Sequence, residues 1–318
     1  MVATAPITLS SVDSSLLPRT ITAPIFEKSV EQSAVMALAR PAPLAIDATT
    51  SVPIPMDVPT ADWVGQAAKK PLSTSSVGVK QMTAKKLAVL IPVAEEVAMT
   101  NAAGLYTQLQ RDLPTAFARA FDHAAIHGKT MKGATGPFED YLAETTNEVE
   151  LGTATQATGG IWADLVTGME LVIDEDWDYT GTVADHRLKP KLLLATDTTG
   201  RPILVDTQTP GTNMAAAGQL IGEPLAYSRS VSGKQRRQST SVDSGLRAIG
   251  GDWSQAAYGV GMDITVRISK EATYVDEDGG VHSAFQENLV LILAEAYYGY
   301  VQGDAQAFVK FTGEPSGS

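Results

Sequence analysis

The chain has 318 residues, 44% of them hydrophobic and 19% charged, with 27 glycines and 17 prolines, an ordinary globular composition with room for one large or two modest domains. Its formal charge is −12, from 24 basic against 36 acidic residues, which argues against gripping phosphate backbones by charge, and the lack of cysteine excludes a disulfide scaffold, a thiol nucleophile and cysteine-ligated metal. The longest apolar run, Leu87 to Ala94, includes Pro92 and is too short to span a bilayer, and no basic-then-apolar leader opens the chain, so a soluble intracellular setting is expected.

Residues 1–50 are broken by Pro6, Pro18, Pro24, Pro41 and Pro43 and rich in Ser and Thr. They read as a floppy tail or as an arm that packs on something else, with one short helix over about 26–39. Ser51 to Met56 and Thr74 to Lys80 read as the two strands of a hairpin, the first of edge type because of its prolines. Its long polar tip, Asp57 to Pro71, carries Trp63, Lys69 and Lys70. Such a hairpin has little core of its own and is expected to lie on another surface, another subunit included.

Leu87, Val89, Ile91 and Val93 alternate with their neighbours as a buried strand would. Asn101 is a candidate cap for a long amphipathic helix with Leu105, Leu109, Leu113, Phe117 and Phe121 at four-residue spacing, ending at Gly128 and bent at Pro114. After a loop-like stretch over 129–160, Ile161 to Ile173 marks a second helix, followed by the acidic run Asp174 to Asp178. Leu192, Leu193 and Leu194 read as a buried strand, 196–218 as a loop, and Arg229, Lys234, Arg236 and Arg237 as a basic cluster. In the last quarter, Ile264, Val266 and Ile268 mark a half-buried strand and Val275 to Val281 a polar turn. Phe285 to Val301 is a long apolar return, and Phe308 to Phe311 a final strand.

Chemical motifs are weak throughout. His123 and His127 share a helix face at metal-binding spacing, but the glutamate of H-E-x-x-H and a third ligand are missing, and polar residues at a helix end explain them better. Asp276-Glu277-Asp278-Gly279-Gly280 lacks the twelve-residue ligand pattern of a calcium loop and is better read as a solvated turn. Ser230 to Lys234 lacks the first glycine and final hydroxyl of a phosphate loop, and Gly259-Val260-Gly261 lacks the third glycine of a dinucleotide site. No nucleophile, acid or base constellation emerges, so no enzyme, cofactor or metal is expected. The basic cluster is a solvated loop or a patch that meets the acidic surface of a neighbouring copy.

The order of elements resembles the major capsid proteins of tailed bacteriophages, of the Hong Kong ninety-seven fold. The matching residues are Lys80 to Met99, the helix ending Asp122-His-Ala-Ala-Ile-His-Gly128, Leu220 to Pro224, and a C-terminal run through Ala248–Trp253, Ile264–Ser269, Phe285–Asn288 and Ala307–Val309. Ala94 stands where relatives carry Ser, and Pro114 is unusual in their spine helix. The resemblance covers about 25–312 and implies an α+β fold. Its parts would be an N-terminal arm (1–50), an extended loop hairpin (51–83), and a peripheral domain (84–158) with a spine helix over about 102–127. An axial domain (159–262), a long hairpin returning to the peripheral domain (263–302) and an axial return with a tail (303–318) would complete it.

The resemblance also implies a function. Copies would assemble into pentamers and hexamers of an icosahedral shell around phage double-stranded DNA, contacted weakly by the acidic chain, in a virion put together in the host cytoplasm. Expected partners are the chain itself, a portal, decoration proteins and a separate scaffold protein, since only about 25 residues precede the matching region; the alternative is a chain numbered after cleavage, and Met1 favours the separate scaffold. Some relatives cross-link a loop lysine to a neighbour's asparagine; Lys69 and Lys70 lie at the loop tip, and no matching asparagine is assigned. Candidate intersubunit residues are Trp63, Lys69, Lys70, Arg229, Arg236, Arg237, Asp276, Glu277 and Asp278. The alternatives are an encapsulin-like cellular compartment, disfavoured by the longer N-arm, and a soluble enzyme of unrecognised type, supported only negatively.

Overall fold

The computed structural model describes residues 33–55, 63–64, 77–100, 105–195, 219–234, 242–276 and 278–313. Two sheets organise them. The first has four strands in the order β1 (Arg40–Ala42), β10 (Ala256–Ser269), β13 (Leu289–Gln302) and β4 (Lys85–Ala94). The second has six, in the order β5 (Glu148–Glu150), β14 (Phe308–Thr312), β9 (Leu246–Gly251), β6 (Gly181–Ala184), β8 (Glu223–Tyr227) and β7 (Gln219–Leu220). Two hairpins are not hydrogen-bonded into either sheet: β2 (Thr50–Pro55) with β3 (Val77–Met82), and β11 (Thr273–Val275) with β12 (Val281–Ser283). Five α-helices lie among the described residues: α1 (Ala34–Leu38), α2 (Glu95–Thr100), α3 (Leu105–His127), α4 (Ile161–Asp174) and α5 (Leu188–Leu193).

β13 is central in its sheet, so its near-continuous apolar run is covered on both faces. Ala294, Ala296, Tyr298 and Tyr300 join Phe117 and Phe121 of α3 in the main core. On the opposite face, Gly259 of β10 pairs with Gly299 of β13, and a Cβ at either would come within 2.7 Å of Met82. The two glycines leave a slot for the Met82 side chain, which gives Gly259-Val260-Gly261 a packing role. The one charged group on β13, Glu295, is buried and ion-paired with Lys86 of β4, whose ammonium that hydrogen bond holds above its usual pKa.

Several expectations are corrected by packing. β4 is an edge strand buried on one face only: Leu87, Val89, Ile91 and Val93 face the core while Leu90 faces outward, and Pro92 is tolerated because an edge has donors to spare. The segment 33–42 is neither tail nor foreign arm, since Ala34, Val35 and Met36 are buried in the main core and β1 pairs in parallel with β10. The β2–β3 hairpin has its base seated on the chain's own sheet through Val52, Met82, Ala257 and Val301. Leu192 to Leu194 is no strand: α5 covers it up to Leu193, burying Leu192 while Leu193 and Leu194 remain exposed, because a helix turns three successive leucines to different sides.

α3 agrees with the expected span and continues through Pro114 as one element; the cap expected at Asn101 and the loop over 196–218 lie outside the described residues. α4 packs on the six-stranded sheet, where a Cβ at Gly168 would come within 2.3 Å of the Phe311 ring. Gly168→Ala is therefore expected to destabilise the chain by about 2 kcal/mol through overpacking, read as a lowered urea midpoint with an unchanged slope.

Candidate functional site

The junction between α1, α3 and the six-stranded sheet is built on one carboxylate. Asp122, fully buried on α3, accepts from Ser33 Oγ (2.6 Å) and the Val35 amide (3.3 Å) at Oδ1, and from the Ala34 amide (3.2 Å) and Ser228 Oγ (2.7 Å) at Oδ2. Ser33 in turn caps α1 by accepting from the Met36 amide at 3.1 Å. Two stretches far from α3 in sequence thus end on one of its side chains. Burial pushes the Asp122 carboxyl up, against the pull of its four hydrogen bonds.

Next to it on α3, His123 and His127, one turn apart, lie ring to ring at 4.8 Å. His127 Nε2 donates to the Ser230 carbonyl at 3.0 Å, which fixes its tautomer, and burial lowers its pKa to about 4. Gly128 ends the helix at φ +61, and a Cβ there would lie 2.6 Å from the Tyr141 ring, so both backbone and space call for glycine. Beside the Ser230 turn, Asp243 and Arg247, both buried, form a two-pronged ion pair at 2.8 and 3.3 Å, and Arg187 adds a contact to Asp243 at 3.2 Å and to Ser232 at 2.8 Å.

The β11–β12 hairpin closes differently. Asp276 Oδ1 accepts from the Gly280 amide at 2.5 Å, while His282 bridges Asp276 (3.2 Å) and Glu287 (2.9 Å) and stacks on Tyr274. These carboxylates are occupied as turn and ion-pair groups, and among the described residues no cluster of three or more His, Cys, Asp or Glu could hold a metal. Val275, Val281 and Phe285 are exposed on the same hairpin and the turn after it.

The residues expected at interfaces fall into separate regions. Trp63, in the segment joining β2 and β3, is fully exposed. Arg229 is half-buried beside the Asp122 junction, and Asp276 and Asp278 sit at the β11–β12 turn. Lys69, Lys70, Arg236, Arg237 and Glu277 lie outside the described residues. Sequence reading gave no role to Asp122 or to the Arg187–Asp243–Arg247 cluster. For Asp122 a signal existed: a carboxylate four residues after Ala118 and three before Ala125, on the helix face that small residues keep close to a neighbour.

The phage capsid family model matches residues 14–313. A protein described as major capsid protein gp17 of Mycobacterium phage D29 is 28% identical over 300 residues, spanning 92% of this chain and 88% of its own length. Its namesake in Mycobacterium phage L5 is also 28% identical, over 80% of this chain and 76% of its own. A solved structure from Gordonia phage Cozz superposes with a TM-score of 0.69 at 28% identity, covering 89% of this chain and 87% of the other.

Proposed function

The chain belongs to the phage capsid family as a structural shell protein of the major capsid type, not an enzyme, and we propose that its copies close into pentamers and hexamers of an icosahedral head around double-stranded DNA. The parts take the roles the family suggests: the four-stranded sheet and α3 form the peripheral domain, the six-stranded sheet the axial domain, and the β2–β3 hairpin the extended loop. Shell contacts are individually weak and become strong together, because each copy that joins a closed ring or shell is held at several surfaces at once.

The observation that carries the reading is the hairpin. Its base is fixed to its own sheet by Val52 and Met82, while Trp63, in the segment joining its strands, is fully exposed. Trp63, between the two strands in sequence, is a large exposed aromatic of the kind that protein interfaces bury, with Lys69 and Lys70 close by in sequence. The chain's −12 charge keeps packaged DNA from adhering to the wall. A separate scaffold protein, a portal and decoration proteins complete assembly, which takes place in the host cytoplasm before the capsid becomes part of the virion.

Replacing residues 57–71 by a two-residue turn tests this. The subunit is expected to unfold at the same urea concentration as the wild type, since the buried base is untouched, yet to give no shells by negative-stain electron microscopy. Normal shells from the shortened chain would overturn the role given to the loop.

A further inference from the structure

The six-stranded sheet is electrically polar along its strand β6. Where β6 begins, the end of α4 and the turn after it expose Asp174, Glu175, Asp176 and Asp178, with Glu170 one turn earlier. Where β6 stops, His186, Lys189 and Lys191 follow directly, and Arg229 follows the parallel neighbour β8 at the same end. Arg229, Lys189 and Arg119 of α3 all act on His186 closely enough that, after burial, they lower its pKa, with Asp185 opposing them. Four cations gathered in this way stand out in a chain of net charge −12.

Each pole also carries an apolar centre. On α4, Ile173 is exposed beside Asp174 and shares one helix face with Glu170 by its spacing. At the basic pole, Leu193 and Leu194 are exposed beside Lys189 and Lys191. Apolar groups rimmed by charge at both poles, opposite in sign, are what a protein contact uses; binding to phosphate would not need the leucines.

We infer that the basic pole of one copy docks on the acidic pole of the next, Leu193 and Leu194 meeting Ile173 within a rim of ion pairs. The inference rests on the shell reading above and gives it a direction. Unlike poles at opposite ends of one domain make a head-to-tail contact, which closes into a ring when the rotation per copy divides a full turn.

The test uses charge reversal with the full chain, in Lys189→Glu/Lys191→Glu and in Asp174→Lys/Glu175→Lys. All four side chains are solvent-facing or half-buried, and retention of fold is checked by the urea midpoint. Either variant alone is expected to assemble at least about tenfold less than wild type, because like charges now face each other. Co-expressed, the two restore attraction only in alternation. Six-membered rings should return, while five-membered rings, which cannot alternate, should not, leaving sheets or tubes in place of closed shells. Folded variants that assemble as wild type, or a co-expressed pair that stays dispersed, overturn the inference and leave the shell reading intact. Shells that form but lose only their DNA overturn it in favour of a nucleic-acid surface. A wild-type chain that forms no rings or shells overturns the shell reading itself, and the inference with it.

Discussion

Asp122→Ala is expected to destabilise the unassembled subunit by about 4 kcal/mol, the combined effect of leaving two hydroxyls and two amides without their buried acceptor. The consequence is local as well as global. α1 has only five residues and cannot persist on its own propensity, so loss of its anchor frees the 33–38 segment from the core. Asp122→Asn keeps one accepting oxygen and should lose about half as much. Ser228→Ala removes a single partner and should cost about 1 kcal/mol. Urea unfolding of the three variants gives the ranking, and equal losses for all three would remove Asp122 from the centre of the junction. The group has an opposite sign in acid from most carboxylates. Its pKa is raised on folding, so as the pH falls through that raised value the folded state takes up the proton first, and this group's contribution to stability increases.

Acidification should nevertheless weaken the subunit through His127. Its pKa falls from 6.5 in the unfolded chain to about 4 in the folded one, so the folded state holds it neutral while the unfolded state protonates. Stability is therefore full above about pH 6.5, declines as the pH falls below that value, and levels off below about pH 4. At about 1.4 kcal/mol per unit, the loss from this residue is about 3 kcal/mol. His123, also lowered by burial, adds to it in the same direction. His282 acts oppositely: Glu287 and Asp276 raise its pKa, so its stabilising contribution is complete in acid and is lost as the pH rises through the raised value. In His127→Gln the fall in unfolding free energy between pH 7 and pH 4 should shrink by most of that amount, with the Ser230 contact kept by the amide. A curve parallel to that of the wild type would assign the acid loss elsewhere.

Much of this architecture could be read from period and punctuation. The four-residue apolar spacing of α3, its glycine stop at Gly128, the strand alternation around Ile264 to Ile268 and the paired runs of the β2–β3 hairpin are local patterns, and their order along the chain carried the family resemblance. The errors arose where a neighbour decides. Leu192 to Leu194 is equally apolar as strand or helix, and only the fit of Leu188 and Leu192 into the core beside α4 selects the helix. β4 has a buried strand's composition but lies at a sheet edge, which no property of its own sequence specifies.

The junction is the clearest division between the two sources of information. Sequence by itself determined that Asp122 sits on a helix, near its end, in an acidic chain without cysteine or a catalytic constellation. It also determined that a proline-rich hairpin needs a surface to lie on. Only the tertiary structure decided that Ser33 and Ser228, 89 residues before and 106 after Asp122, would converge on that carboxylate, and that Arg119 and Arg229 would stand beside the basic segment after β6. The physical reason is range. Helix and strand patterns are set by contacts a few residues apart, whereas a buried hydrogen-bond node or a charged pole is made by residues that become neighbours only when the sheets close.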